Sequence, residues 1–150
     1  MKILALALVV QGFHWIEHLA QVYQHWWLGL PIKESKGILF FLDLEWNHFV
    51  FNSAYFVLLV VVWFLLRNVS SRVAMRLLIV GTLIQGYHLI EHAVRIWQHI
   101  QTACEPCKGI LGWYIDGVYL HFAFNTLVLL LPLIAFIFLI RPLLKIRYNK

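Results

Sequence analysis

Charged side chains are scarce in this chain, and acidic ones are the scarcest. Among 150 residues there are 12 Lys or Arg and 7 Asp or Glu, while 62% of the residues are hydrophobic. A soluble domain carries about 25% charged residues, whereas this chain has 13%. The shortage of charge therefore excludes an ordinary soluble domain and predicts that most of the chain lies in a bilayer.

Cysteine is almost absent as well. The two cysteines, Cys104 and Cys107, lie in a single Cys-Glu-Pro-Cys turn. In an oxidising exterior we expect them to form a disulfide that staples this loop; a metal-binding or redox-active dithiol is the alternative. The sequence also lacks a basic stripe interleaved with solvent-facing aromatics, so no nucleic-acid partner is expected.

Long apolar runs make up most of the chain. A helix needs about 20 mostly apolar residues to cross the hydrocarbon core of a membrane, and four such spans fit here. Their apolar runs are Leu4–Val10 with a mixed continuation, Phe49–Leu66, Leu77–Ile84 and Leu120–Ile140. The expected fold class is an all-α integral membrane bundle of four transmembrane helices, in a single membrane domain over residues 1–150.

Positive charge collects in three segments that four spans place on one side of the membrane. These segments are the N-terminus, the connection between the second and third spans, and the C-terminus. Their basic residues are Lys2, Arg67, Arg72, Arg76, Arg141, Lys145, Arg147 and Lys150. Because short basic segments stay in the cytoplasm, we expect a multi-pass protein of the plasma or inner membrane with both termini cytoplasmic.

The sequence contains an internal repeat. Residues 11–25, QGFHWIEHLAQVYQH, return as residues 85–99, QGYHLIEHAVRIWQH, and HFVFNS at 48–53 returns as HFAFNT at 121–126. Repeat one covers about 3–66 and repeat two about 77–140. Each repeat is one helical hairpin, so both enter the membrane from the same side. The sequence therefore predicts two tandem parallel hairpins related by a pseudo-twofold axis along the membrane normal.

The repeated polar residues share one face of each helix. At 100° per residue, Gln11, His14 and His18 lie on one narrow stripe of the first span, with Glu17 at its edge. The stripe recurs on the third span, and a His/Asn pair four residues apart lies on the second and fourth. Because ionisable residues in a bilayer face the bundle interior and pair with one another, these stripes are expected to meet in the outer half of the membrane.

A metal centre is the expected function of this polar set. Two histidines at i and i+4 can chelate one ion, and a glutamate can bridge ions or accept an imidazole N–H. The predicted ligands are His14, Glu17, His18, His48, His88, Glu91, His92 and His121, and the predicted supporting residues are His25, His99, Asn52, Asn125, Gln11 and Gln85. Imidazole suits Fe, Cu and Zn, and six histidines with two glutamates suit a two-metal centre. Arg95 is expected to pair with Glu91, one turn earlier on the same helix.

Two short resemblances accompany these residues. The string His14-x-x-Glu17-His18 resembles the inverzincin signature, in which two histidines bind zinc and the glutamate is the base. That resemblance covers five residues per copy and does not extend to proteolysis. The eight histidines also resemble the ligand inventory of the integral-membrane desaturases and hydroxylases, although the paired His-His boxes are absent. Redox or oxygenase chemistry is the boldest function that this second resemblance implies.

Other functions stay open at this point. A b-type haem in an electron-transfer subunit needs two histidines from facing helices, and His14 with His88, or His18 with His121, would serve. A proton relay along the stripe and a non-enzymatic metal-binding subunit of a larger membrane complex or homo-oligomer are further alternatives. A purely structural polar core is the simplest one. The lipid bilayer is the partner expected in every case.

Overall fold

The chain is all-helical in a computed structural model that describes residues 1–68 and 71–148, and the side chains as far as residue 141. No β-strand occurs in these ranges. Four long helices alternate with connections in the order α1 (Lys2–Val22), α2 (Leu44–Leu66), α3 (Arg72–Thr102) and α4 (Gly117–Tyr148). A π-helical turn, Tyr23–Trp27, extends α1, and a single 3-10 turn, Leu111–Trp113, lies before α4.

All four helices are long and apolar enough to cross a membrane, which confirms the predicted number of spans. The candidate spans are Lys2–Trp27, Leu44–Leu66, Arg72–Thr102 and Gly117–Arg141. The predicted cytoplasmic charges Lys145, Arg147 and Lys150 lie outside the described side chains. Large apolar residues such as Phe13, Val50 and Leu83 are exposed on the outside of the bundle, which is the surface that lipid would cover.

Short polar residues define where three of the helices begin. The Asp43 carboxylate accepts the Trp46 amide N–H at 3.0 Å before α2. The Ser71 hydroxyl accepts the Ala74 amide N–H at 3.3 Å before α3. The Asp116 carboxylate accepts the Val118 amide N–H at 2.9 Å before α4. Each side chain satisfies one of the amide groups that a helix start leaves without a partner, so the loops end at defined residues.

The interior of the bundle is apolar at one end and polar at the other. Helix α3 packs against α2 and α4, and α1 packs against α4 and α2. The end near the two termini has a core of Leu4, Val62, Ala74, Leu78, Ala135 and Leu139. A second apolar layer, formed by Ala7, Tyr55, Leu59 and Val128, separates this core from the histidines. The polar end therefore adjoins the loops that connect α1 to α2 and α3 to α4.

Candidate metal centre

The predicted stripes face the interior of the bundle and meet there. Six imidazoles, each no more than 4% exposed, form a contiguous cluster in which every ring contacts at least two others. The members of this histidine cluster are His14, His18, His48, His88, His92 and His121. Their neighbours Gln11, Asn52, Gln85 and Asn125 are buried as well. Helical periodicity therefore predicted the direction of these side chains correctly.

Three histidines of the first hairpin form a group suited to a metal ion. The ligand nitrogens of His14, His18 and His48 all lie within 4.8 Å of one another, and all three side chains are buried. The Nε2 atoms of His14 and His18 are 3.2 Å apart. Two nitrogens that each lie at ~2.1 Å from one tetrahedral ion are separated by about 3.4 Å. The separation of His14 and His18 is therefore close to that of two ligands on one metal ion.

Hydrogen bonds orient the rings of the first triad. The Nδ1–H of His48 donates to the Leu44 carbonyl oxygen at 2.7 Å, and His18 Nδ1 lies 2.9 Å from the Gln21 side-chain oxygen. Because both acceptors are oxygens, Nδ1 carries the proton in each ring and Nε2 keeps its electron pair. This is the arrangement in which metal-binding histidines are commonly held, with one nitrogen on the ion and the other on a supporting oxygen.

The second hairpin contributes His88, His92 and His121, which we call the second triad. The Nε2 atoms of His88 and His92 are 3.3 Å apart, and His121 Nδ1–H donates to the Gly117 carbonyl at 2.7 Å. The Nε2 atom of His121, however, accepts a hydrogen bond of 2.7 Å from the Arg95 guanidinium. A residue outside the predicted ligand set therefore occupies the electron pair that a metal would need.

Arg95 forms a buried ion pair with Glu45, and the predicted pairing with Glu91 is wrong. The guanidinium Nε and Nη2 atoms donate to the two Glu45 carboxylate oxygens at 2.9 and 2.8 Å. The Arg95 side chain is 8% exposed and that of Glu45 is 1% exposed. The reason is directional: Arg95 points across to α2, whereas the Glu91 carboxylate turns to the loop before α4. Spacing along one helix could not reveal a partner on another.

Glu17 and Glu91 bind backbone amides, which differs from their predicted role as metal bridges or imidazole acceptors. The Glu17 carboxylate accepts the N–H groups of Ile38 and Leu39 at 2.9 and 3.2 Å. Glu91 accepts those of Ile110 and Leu111 at 2.8 and 3.0 Å. The connecting loops have donors that no helix satisfies, and each buried carboxylate supplies the missing acceptor. These two residues fix the loops over the histidine cluster.

A glycine in each loop allows the loop backbone to lie close to the glutamate carboxylate. Gly37 has a φ of +79°, and Gly109 has a φ of +70°. A Cβ atom at Gly37 would collide with the Glu17 carboxylate, and one at Gly109 would collide with that of Glu91. The positive φ and the collision both require glycine here. The side chains of Gln24 and Gln98 also bond to the backbone of Gly37 and Gly109, at 2.8 Å in each case.

The remaining predicted supporting residues connect one hairpin to the other. Gln11 donates to the Asn125 side-chain oxygen at 2.8 Å, and Gln85 donates to that of Asn52 at 2.9 Å. Each asparagine also lies beside a histidine, because Asn52 Nδ2 is 3.4 Å from His14 Nε2 and Asn125 Nδ2 is 3.4 Å from His88 Nε2. The two amide pairs therefore join the hairpins and contact one histidine of each triad.

His25 and His99 lie outside the histidine cluster, in positions that hold the loops. His25 Nδ1 donates to the Leu30 carbonyl at 2.8 Å, and His99 Nδ1 donates to that of Cys104 at 2.7 Å. Their other nitrogens reach across the bundle. His25 Nε2 is 3.3 Å from the Asp116 carboxylate, and His99 Nε2 is 3.2 Å from that of Asp43. These two histidines therefore bond to loop residues and belong to neither triad.

Cys104 and Cys107 are joined by a disulfide. The small loop that it closes touches the polar end of the bundle twice. The Cys107 amide N–H donates to Glu45 at 2.7 Å, and the Cys104 carbonyl accepts from His99. The disulfide loop therefore helps to position the carboxylate that pairs with Arg95.

A cavity of about 450 Å³ lies against the histidine cluster on the loop side. His18, His48 and His121 line it together with Arg95 and residues of both loops. The loop residues include Ile32, Lys33, Trp113, Tyr114 and Ile115. Cavities of this size hold small molecules. Sequence reasoning missed the cavity, because its walls come from two loops whose paths the periodicity of the helices does not predict.

No protein-family model, curated protein or solved structure matches the chain. The described geometry thus defines the class: an all-helical protein with four helices apolar enough to span a membrane and a buried histidine triad that can hold a metal ion.

Proposed function

We propose that this protein is an integral membrane metalloprotein that holds a transition-metal ion on His14, His18 and His48. One observation carries the proposal: three buried imidazoles, from two helices of one hairpin, place their nitrogens within 4.8 Å of one another. Imidazole binds Fe, Cu and Zn in proteins. Of these ions, iron and copper would supply redox or oxygenase chemistry, whereas zinc has no redox chemistry.

The supporting hydrogen bonds favour metal binding over a purely structural polar core. A core that only joins helices needs each ring nitrogen to bond to some partner. Here His18 and His48 both direct Nδ1–H to an oxygen, so both keep Nε2 as an electron-pair donor inside the same group. This common orientation is what a metal ion requires of its ligands.

The cavity gives the proposed ion access to small molecules. His18 and His48 line the cavity wall, and three protein ligands leave a coordination position open, as in catalytic zinc sites. An ion held here would exchange with the loop side or bind a small ligand from it. This supports a reactive or exchangeable centre more than a closed structural one.

We also propose an orientation and a symmetry for the bundle. Both termini are cytoplasmic, the histidine cluster lies in the outer half of the membrane, and the hairpins are related by a pseudo-twofold axis. The basic segments support the orientation. Matching contacts in the two halves support the axis, among them Gln11 with Asn125 and Gln85 with Asn52. A fluorescent protein fused to the C-terminus, which folds only in the cytoplasm, should then be bright; a dark fusion would contradict the orientation.

Haem and proton transfer are less well supported. A haem between His18 and His121 needs a slot as broad as the macrocycle, but these two rings stack at a centroid distance of 5.9 Å within a packed group of imidazoles. A proton relay needs polar groups across the whole membrane. Within the described residues, two apolar layers lie between the histidine cluster and the ends of the helices near the termini.

The test is to purify the protein in detergent, measure bound metals by elemental analysis and record an absorption spectrum. We expect a stoichiometric transition metal that is lost in His18→Ala. His25→Ala is the matched control, because His25 lies on the same helix but contacts a loop carbonyl, and it should keep the metal. A Soret band, or a protein that binds no metal after reconstitution with Fe, Cu or Zn, would refute the proposal.

A further inference from the structure

The two triads differ at one polar position of the repeated stripe. Gln21 follows His18 in the first hairpin, and the corresponding position after His92 is Arg95. The facing position differs too. Since His48 returns as His121, the position of Glu45 returns as Val118. The ion pair of Arg95 on α3 and Glu45 on α2 thus corresponds to the neutral pair of Gln21 on α1 and Val118 on α4, and each pair has one residue in each hairpin.

In the first hairpin, this position supports a ligand. The Gln21 side-chain oxygen lies 2.9 Å from His18 Nδ1. A neutral acceptor at this place fixes the ring and leaves Nε2 free, and it adds no charge that would repel a cation.

In the second hairpin, the same position competes with a metal. The Arg95 guanidinium donates to His121 Nε2 at 2.7 Å, and a proton donor and a metal ion cannot share one electron pair. Arginine also stays protonated in proteins, so the guanidinium remains a donor to this nitrogen. Two hydrogen bonds to Glu45 keep it in this position.

In the second triad only His121 has a supporting acceptor, the Gly117 carbonyl. Among the described residues, buried side-chain atoms without a hydrogen-bond partner include Nδ1 of His88 and of His92. Because Arg95 can only donate, His92 has no counterpart of the oxygen that His18 finds on Gln21. The ring is therefore not held in the orientation that metal binding needs.

We infer that the Arg95 guanidinium is the resident cation of the second triad, so that the protein binds one metal ion per chain, on the first triad alone. This inference rests on the proposed function. It replaces the expected two-metal centre by a centre with one exchangeable metal ion and one fixed organic cation. The cavity is lined by Arg95 and by His18 and His48 of the first triad, so the metal ion and the guanidinium would both face it.

The test is a titration of the metal-free, full-length protein in detergent with Co²⁺, whose visible absorption reports its coordination. The wild type should bind one equivalent. The variant Arg95→Gln/Glu45→Val replaces the ion pair by the residues of the corresponding neutral pair, Gln21 and Val118, and should bind two. Arg95→Gln/Glu45→Gln keeps an acceptor for the Cys107 amide, and it should also bind two if the first variant does not fold.

The reverse exchange is the matched control. Gln21→Arg/Val118→Glu places the ion pair beside the first triad and should lower Co²⁺ binding from one equivalent to none, while the helical circular dichroism stays unchanged. Wild-type protein that binds two equivalents, or a folded Arg95→Gln/Glu45→Gln variant that still binds one, would overturn the inference and leave the proposed function intact. Wild-type protein that binds none would refute the proposed function and this inference with it.

Discussion

The first and second hairpins each present three histidines at matching positions, but they hold them differently. In the first, each of two triad rings directs one nitrogen to an oxygen of Leu44 or Gln21. In the second, Arg95 bonds to a ring nitrogen of His121 and is itself fixed by Glu45. The difference teaches that the ligand inventory does not define a metal site. In our proposal, one side chain beside the ligands decides whether their electron pairs are available.

The largest expected effect is a difference in metal affinity between His18→Ala and His92→Ala. Loss of His18 removes a ligand and should weaken metal affinity more than about 100-fold, since even changes beside a ligand cost about 10–100-fold. His92→Ala should change the affinity by less than about threefold, because the second triad holds no metal in our proposal. A Co²⁺ competition titration measures both. Equal losses in the two variants would erase the proposed difference between the hairpins.

The second prediction concerns stability at the position where the hairpins differ. Arg95→Met leaves the Glu45 carboxylate buried without its cation and should cost about 3–5 kcal/mol of unfolding free energy. Gln21→Met removes one neutral hydrogen bond and should cost about 1 kcal/mol. Unfolding in a mixed-detergent titration gives both values. Adding Glu45→Gln to Arg95→Met should recover most of the loss; a double variant no more stable than the single one would contradict the ion-pair explanation.

The third prediction concerns Glu17 and Glu91, which both accept hydrogen bonds from loop amides. Glu17→Gln and Glu91→Gln each replace a charged acceptor of two loop amides by a neutral one, and each should cost about 2 kcal/mol of unfolding free energy. Metal stoichiometry should stay unchanged, because the Glu17 carboxylate contacts loop amides in the structure. Elemental analysis of the purified variants checks this. Metal loss in Glu17→Gln alone would restore the glutamate as a ligand.

The smallest effect is expected at the two contacts between a histidine and an aspartate, His25 with Asp116 and His99 with Asp43. Asp43→Asn and Asp116→Asn weaken the contacts with His99 and His25, whose carboxylate partners are 40% and 36% exposed. Such exposed pairs contribute about 0.2–1 kcal/mol, and asparagine also caps a helix start well. Thermal unfolding in detergent should show small, equal shifts. A large shift in one variant only would reveal a further difference between the hairpins.

The sequence predicted the helices and the direction of the polar side chains, because both follow from local rules. Apolar length predicts a span, and a period of 3.6 residues places His14 and His18 on the same face. The similar sequence blocks at 11–25 and 85–99 also indicated which polar residues belong together. These features need no knowledge of neighbouring helices.

The partners of the charged residues were not predictable in the same way. Glu17 bonds to amides of the loop before α2, and Arg95 bonds to Glu45 on α2. Both contacts join segments that are far apart in the sequence, and both depend on the path of a loop or on the packing of two helices. A helical wheel gives a direction for a side chain, but it gives neither its reach nor the group that it meets.

All three histidines of the proposed metal site belong to one hairpin, and this has an evolutionary consequence. Two separate copies of a hairpin in a symmetric dimer would have to carry the same residue at positions 21 and 95. Joining the copies in one chain lifts that constraint, since each can then change alone. Gene fusion would thus permit two triads with different occupants, a metal ion in the first and a guanidinium in the second.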